Sequence, residues 1–445
     1  MKLRTEDVRF HSASMIDSAG RLFSWNGSIY RAISPDRTQF YTDLLERKQI
    51  QELFNHGLVE TKASSLSLDG YGLVLEHRLI PFVSYCMEWT ASMLKDAALL
   101  VCDLSAALCN KGLTFKDAHP WNILFDRGKP VFVDWGSIDA KTDRTHWPFS
   151  QFRDRFIFPL YLLSSGKSSF TRDLMLDVLH CPSSRDVLKL LFGTLPLPDW
   201  YKCWSQNRSF DRDSVRVDAS YFQRLRNFVN SIPLSPEPTE WSNYEGPDGT
   251  IPRNVSDDWP SKISGVHSLL QRLKPTTVMD IGCNRGWFSE MAAEEGARVI
   301  AVDIDESNVS RLYQKVKQSG ASILPVFMDF CTPTPSHGVT GGYPDAGERF
   351  QSELVLALAI THHLIFKRAL TFHAVAKQLA LFSKKWLLVE FVPPEDKYVS
   401  EWMNEQFRWY NLDGFKDALG QFFSRIEVME STPSPRLLLF CEKSG

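Results

Sequence analysis

The stretch Thr276-Thr-Val-Met-Asp-Ile-Gly-Cys-Asn-Arg-Gly-Trp-Phe-Ser-Glu290, continued at Ala297-Arg-Val-Ile-Ala-Val-Asp-Ile-Asp305, decides the fold of the C-terminal half of this chain. Thr277 to Ile281 is a short β-branched, apolar run that carries one acid, Asp280, and the Gly282-Cys-Asn-Arg-Gly286 segment behind it opens a helical pattern. This spacing predicts a strand, a tight loop and a helix. Gly282 and Gly286 carry no Cβ, so the backbone can turn sharply and approach a ligand closely, and Asn284 between them tolerates a left-handed conformation better than other non-glycine residues. The loop is expected to cradle a small molecule against the first helical N–H groups. Asp303 closes the next apolar run, Arg298 to Val302, where a carboxylate is suited to a ribose diol. Together these residues read as a nucleoside pocket.

The pattern is Asp-x-Gly-x-x-x-Gly, with Asn284 where a dinucleotide fingerprint has its middle glycine. Asp280 would repel a pyrophosphate but suits the cationic amino-acid end of S-adenosylmethionine, directly or through water. Here the sequence resembles the class I S-adenosylmethionine-dependent methyltransferases, from about Lys262 to the C-terminus. Apolar strands are readable at 277–281, 298–302, 322–328, 353–360, 386–392, 425–430 and 436–442, with helical patterns after the first two, the fourth and the fifth. The last two flank Thr432-Pro-Ser-Pro435 as an antiparallel hairpin. The resemblance implies an α/β fold with a seven-stranded Rossmann-like sheet of order 3-2-1-4-5-7-6. It also implies a cofactor site of Asp280, Gly282, Asn284, Gly286 and Asp303, with Asp329 at the adenine amine and Phe330 beside the ring.

At 445 residues the chain has room for two or three domains, and 43% hydrophobic and 12% aromatic residues suffice for packed cores. A net charge of −3 and the absence of a dense Lys/Arg run argue against a nucleic-acid binder. The eight cysteines form no Cys-x-x-Cys pair and have no His at zinc-ligand spacing, so they read as reduced thiols, and no metal triad is evident. The N-terminus lacks a signal-peptide core and no apolar segment approaches the roughly 20 residues of a membrane span, so a cytoplasmic location is expected.

Residues 1 to about 85 mix short β-like runs at 21–25, 28–33 and 72–76 with a helix-like segment from about Gln39 to Phe54, and Asn26-Gly27 is a hairpin signal. A helical pattern from Met93 to about Lys111 ends at Gly112. It is followed by Leu113-Thr-Phe-Lys-Asp-Ala-His-Pro-Trp-Asn-Ile-Leu-Phe-Asp126 and Lys129-Pro-Val-Phe-Val-Asp-Trp-Gly-Ser137. Asp117 and Asn122 have the Asp-x-x-x-x-Asn spacing of a kinase catalytic loop, and Asp134-Trp-Gly136 stands where Asp-Phe-Gly would. The segment resembles the aminoglycoside and choline kinases, which implies an α+β protein-kinase-like domain. In that resemblance Asp117 orients or deprotonates a hydroxyl, while Asn122 and Asp134 hold magnesium against ATP.

Phe115-Lys116 replaces the usual His before the catalytic Asp, no glycine-rich loop is present, and the small lobe has no clear lysine, with Arg31 and Glu46 as substitutes for the usual ion pair. Phosphoryl transfer, nucleotide binding without turnover and a structural role therefore stay open. Pro81-Phe-Val-Ser-Tyr-Cys-Met-Glu-Trp89 and Met93-Leu-Lys-Asp-Ala-Ala98, ahead of the C-terminal half, are similar to the bacterial methyltransferase group that includes the rhizobial nodulation protein NoeA. The domain reading is a kinase-like domain over 1–230 (small lobe about 1–85, large lobe about 86–230), a Pro-rich aromatic linker or lid over 231–260, and a methyltransferase domain over 261–445.

Substrate chemistry in such a fold sits at the C-terminal ends of the strands. There the chain reads Leu356-Ala-Leu-Ala-Ile-Thr-His-His363 and Leu388-Val-Glu-Phe-Val-Pro-Pro-Glu-Asp396, without the Asp/Asn-Pro-Pro-aromatic motif of amide or adenine N-methylation and without the cysteine of cytosine chemistry. His362 or His363 could take a proton from a hydroxyl, with Glu390 as orienter or second acid. The proline- and glycine-rich insertion 331–350 either shapes a pocket or is a spacer. The reading is an S-adenosylmethionine-dependent O-methyltransferase of a small or carbohydrate-derived acceptor. The alternatives are a bifunctional kinase/methyltransferase that also uses Mg-ATP, and a cofactor-binding scaffold.

Overall fold

The structure, a computed structural model, describes residues 1–14, 17–142, 147–177, 182–211, 216–234, 259–338 and 341–444. The chain is a mixed α/β protein that divides into two compact units, one of Met1–Glu237 with Ser336–Pro344 and one of Pro238–Pro335 with Asp345–Gly445. The lid expectation for 231–260 falls almost wholly outside the described residues.

In the first unit β1 (Arg9–Phe10), β2 (Gly20–Trp25), β3 (Ser28–Ile33), β4 (Thr61–Ala63) and β5 (Leu73–His77) form an antiparallel sheet in the order β1-β2-β3-β5-β4. Asn26 and Gly27 both take positive φ, 47° and 78°, which matches the twist of the β2–β3 hairpin. The helix expected from Gln39 to Phe54 is shorter. α1 is Thr38–Glu46, and a four-residue helix, a 3-10 turn and Gly57 at φ 96° carry the chain back to β4. α2 (Ala91–Cys109) starts at Thr90, whose side chain accepts the Met93 N–H, and buries Leu94, Ala98, Val101, Leu104 and Leu108 along one face. The hairpins that follow are β7 (Ile123–Asp126) with β8 (Lys129–Phe132), enclosed by the pair β6 (Leu113–Phe115) and β9 (Ile138–Ala140). α3 (Ala219–Asn230) packs along α2.

The second unit begins with α4 (Ser261–Leu273) and β10 (Thr277–Ile281). It continues through α5 (Trp287–Glu294), β11 (Arg298–Asp303), α6 (Glu306–Ser319), β12 (Ile323–Phe327), β13 (Ser352–Ala357), α7 (Thr361–Phe366), α8 (Phe372–Phe382) and β14 (Ser383–Phe391). It closes with α9 (Lys397–Trp402), α10 (Leu412–Gly420), β15 (Arg425–Glu430) and β16 (Leu437–Glu442). The seven strands lie in the order β12-β11-β10-β13-β14-β16-β15; the first five are parallel and β16 runs against both its neighbours.

The inner strands read as unbroken apolar runs, such as Val299 to Val302 and Leu354 to Ala357, because helices cover both faces of a parallel sheet. Ile263, Val266 and Leu270 of α4 and Trp287 and Met291 of α5 share one core with Val278, Val299, Leu354 and Leu356. The edge strand β15 instead alternates charge with apolar residues, which blunts an open edge.

The strand expected over 353–360 stops at Ala357. Its partner β10 ends at Ile281, opposite Ala357, and turns away at Gly282. Leu358 to Ile360 therefore lose the neighbour on the β10 side, the chain turns at Ala359 with φ 54°, and α7 begins. No described helix is long and apolar enough to cross a membrane. Leu356 is fully buried at the centre of this sheet, so Leu356→Ala should lower the unfolding free energy by about 2–5 kcal/mol, measured by urea denaturation followed by circular dichroism.

Candidate functional site

The loop between β10 and α5 is held from one side. Val302 O accepts the N–H groups of Gly282 (2.9 Å) and Cys283 (3.0 Å), Asp303 Oδ2 accepts that of Asn284 (2.7 Å), and Gly286 N–H donates to Cys283 O (2.8 Å). Gly282, Asn284 and Gly286 all take left-handed backbone at φ 70°, 51° and 82°. A Cβ at Gly286 would meet Leu312 Cδ1 at 2.5 Å, and one at Gly282 would meet Ile360 Cδ1 at 3.0 Å. Torsion thus favours glycine at both positions, and at Gly286 the close Leu312 side chain adds a space requirement. The N–H groups of Gly282, Cys283, Asn284 and Gly286 are all bound within the protein, so any cradle has to come from the first helical N–H groups of α5. This loop does not offer a nest for phosphate.

Acceptors remain. Asn284 Oδ1 is buried with no hydrogen-bond partner. Asp280, 2% exposed, accepts Ser289 Oγ at 2.6 Å. Burial pushes the Asp280 carboxyl up to about 6, against the pull of the Ser289 hydroxyl, and the Asp303 carboxylate adds to the rise. Burial also raises Asp303, although the N–H groups of Asp305 and Asn284 hold it down. An orphaned amide oxygen beside a desolvated carboxylate suits a ligand that brings an ammonium group. The amino-acid end of S-adenosylmethionine has this chemistry.

The other expected cofactor residues lie further along the same edge. Asp329 accepts the Cys331 N–H (2.8 Å) and the Arg368 guanidinium (3.0 Å). Phe330 is 4% exposed and its ring faces the core, 6.0 Å from Phe382, so no open face is left for an adenine. Ile304, directly after Asp303, is 46% exposed.

His362 and His363 do not sit at a strand end, as the apolar run had suggested, but in α7. Their rings are 4.1 Å apart, and both lie against Trp402 of α9, at 5.9 and 5.3 Å. His362 is 3% exposed with no hydrogen-bond partner at Nδ1, and burial lowers it to about 3, helped by His363 and Arg436, so it is neutral at physiological pH. Glu390 is not presented to this edge as a second acid. It is fully buried, with Oε2 on Lys262 Nζ (2.8 Å), Oε1 on Ser431 Oγ (2.6 Å), and its carbonyl accepting Thr361 Oγ1 (2.8 Å). The carboxylate and the backbone carbonyl of Glu390 together place α4, α7 and the β15–β16 turn relative to one another.

In the first unit, backbone bonds bring the three expected residues into adjacent loops. Val133 N–H donates to Asn122 O (2.8 Å), and Ser137 Oγ both donates to Asp117 O (3.1 Å) and accepts the Asp117 N–H (3.0 Å). Asn122 Nδ2 is buried without a hydrogen-bond partner. Asp134, however, already has an ion-pair partner: Arg31 of β3, 2% exposed, pairs with it at 2.6 Å and is shared with Asp17. Ser336–Pro344, drawn from the insertion that was expected to border the other sheet, groups with this unit. Its His337 and Tyr343 rings lie 5.0 and 4.8 Å from Trp121, next to Asn122.

No family model matches the chain. Over 443 residues it is 27% identical to the nodulation protein NoeA of Rhizobium meliloti (strain 1021), covering 92% of this chain and 91% of that protein. The chain is a homologue of NoeA. A stretch of 95 residues, 21% of this chain and 33% of the other protein, is 36% identical to the ubiquinone biosynthesis O-methyltransferase of Azorhizobium caulinodans. Among solved structures, magnesium protoporphyrin IX methyltransferase from Synechocystis PCC 6803 aligns with 41% of this chain and 78% of its own, at TM-score 0.30 and 18% identity.

Lys262, Ser289, Ile304 and Trp402 escaped the sequence reading. An exposed isoleucine after the ribose-side acid was the one legible signal, whereas the partners of Lys262 and Trp402 are remote in sequence. The raised Asp280 carboxyl stabilises the ligand-free fold while it is protonated, and that contribution is lost as pH rises through about 6. Asp280→Asn should therefore stabilise the ligand-free protein by about 1–3 kcal/mol near pH 8 and by much less near pH 4, read from urea unfolding at both pH values.

Proposed function

We propose that the chain is an S-adenosylmethionine-dependent methyltransferase that methylates an oxygen of a small or carbohydrate-derived acceptor. The observation that carries this reading is the Gly282–Gly286 loop, whose N–H groups are bound to Val302, Asp303 and Cys283 while Asp280 and Asn284 Oδ1 are left as acceptors. The order of the seven strands, with one reversed at the end, and the 95-residue similarity to an O-methyltransferase support it.

In this reading Asp280 and Asn284 take the α-ammonium of the cofactor, Asp303 the ribose, and Ile304 and Asp329 the adenine. When bound, the cofactor supplies an electrophilic sulfonium methyl group. His362 accepts the proton that the acceptor hydroxyl loses as its oxygen takes the methyl, and Trp402 and His363 form the wall against which the acceptor rests. Burial keeps His362 neutral between about pH 5 and 8, so its own protonation state does not shape the pH profile in that range. Glu390 positions elements and touches no reacting atom.

The first unit is read as a domain without phosphoryl transfer. Arg31 and the Gly136 N–H already engage Asp134 Oδ1, and the same guanidinium also serves Asp17, so the carboxylate has an ion-pair partner without any metal.

The test is transfer of tritiated methyl from S-adenosylmethionine to fractionated carbohydrate and small-molecule extracts. Alkali-stable label in an acceptor is expected, and His362→Ala should reduce turnover about 10²–10⁴-fold while leaving S-adenosylhomocysteine affinity within about twofold. Tight binding of the homocysteine product with no transfer to any fraction would overturn the enzymatic reading in favour of a scaffold.

A further inference from the structure

Within the insertion between β12 and β13, the segment Ser336–Pro344 carries the glycines Gly338, Gly341 and Gly342 and the rings of His337 and Tyr343. Ordering glycine costs more backbone entropy than ordering any other residue, so such a segment keeps one conformation only where contacts offset that cost. Here they do. The His337 N–H donates to Tyr343 O (3.1 Å) and the Tyr343 N–H to His337 O (3.0 Å), which puts both side chains on one face, and their rings stack at 5.2 Å and 7°. Gly338 takes φ 76°, and a Cβ there would meet the Tyr343 ring at 2.6 Å. The segment presents its two rings as one slab.

The slab meets a matching pair of rings. Trp121, next to Asn122, lies 5.0 Å from His337 and 4.8 Å from Tyr343. Tyr85, 6% exposed, stands edge-on to both, at 4.9 and 5.7 Å. Ring pairs at these separations and angles are attractive and directional. Tyr85 is itself fixed, because buried Glu88 accepts its N–H at 2.7 Å, and Gly342 O accepts Ser12 Oγ at 3.2 Å. Ser12, Tyr85 and Trp121 belong to the first unit and Ser336–Pro344 groups with them, whereas Pro335 and Asp345 on either side group with the second. In the second unit the Ala346 N–H donates to Thr334 O (2.9 Å) and closes the base of the segment, soon after Asp329.

We propose that the aromatic cleft of Tyr85 and Trp121 is a docking surface whose occupant is the chain's own segment Ser336–Pro344. The consequence rests on the methyltransferase reading. By holding this segment the first unit restrains the loop between Asp329 and β13, and so keeps the adenine side of the cofactor site in its binding form. The kinase-like loop serves as the receptor for a peptide of the same chain.

The experiment is amide hydrogen exchange of the full chain, read by mass spectrometry, with calorimetric titration of S-adenosylhomocysteine alongside. Trp121→Ala and, separately, Tyr343→Ala should speed exchange across 336–344 at least about tenfold and weaken S-adenosylhomocysteine about three- to tenfold, while α2 and the inner strands of the seven-stranded sheet stay protected. Tyr343→Phe, which keeps the ring, should behave as wild type. Unchanged exchange of 336–344 in Tyr343→Ala would overturn the docking, and this variant decides if Trp121→Ala also loses protection in α2. Faster exchange with unchanged S-adenosylhomocysteine affinity would overturn the hold on the cofactor site. Wild-type protein that binds no S-adenosylhomocysteine would overturn the methyltransferase reading and that hold with it, while the exchange data still decide the docking.

Discussion

The C-terminal unit depends on the way β11 holds the loop that leaves β10. Two N–H groups close on the Val302 carbonyl and a third on the Asp303 carboxylate. This does two things at once. It forces Gly282, Asn284 and Gly286 into left-handed backbone, which brings the start of α5 against Leu312 and Ile360. It also occupies the N–H groups of Gly282, Cys283 and Asn284, donors that a phosphate-binding loop would keep free. Asp280 is buried behind that loop, and burial raises its carboxyl, which leaves the charged form short of partners. A ligand that brings an ammonium group relieves this shortage.

The same edge is organised around Glu390. Its carboxylate and carbonyl tie together Lys262, Ser431 and Thr361, three residues far apart in sequence that belong to α4, the β15–β16 turn and α7. The buried pair Asp396–Arg436, at 2.8 Å, braces the entrance to α9 and so places Trp402 against the two histidines. Pairs buried this deeply act mainly as placement devices, because the cost of removing both charges from water offsets much of their attraction.

Much of the strand framework was legible because parallel strands covered on both faces are spelled as apolar runs, and because a glycine pair with an asparagine between has few other uses. The limits appear at particular residues. Leu358-Ala-Ile360 continues the apolar run of β13 and looks like strand, but the end of β10 removes its partner and moves the histidines onto a helix. Phe330 and Glu390 look like site residues by position, yet a ring and a carboxylate can be turned into the core by contacts from Phe382 and Lys262 that no local pattern announces. In the first unit the spacing of Asp117, Asn122 and Asp134 gives no hint that Arg31, about a hundred residues earlier, pairs with Asp134. Long-range ion pairs leave no periodicity.

The most direct measurement is calorimetric titration of S-adenosylhomocysteine into the wild-type chain and Asp303→Ala. Asp303 both fastens the loop through Asn284 and is the acid assigned to the ribose. Wild-type affinity in the micromolar range, about −8 kcal/mol, with no detectable binding in the variant is the expected result. Absence of binding in the folded wild-type protein, or equal affinity in Asp303→Ala, would contradict the account.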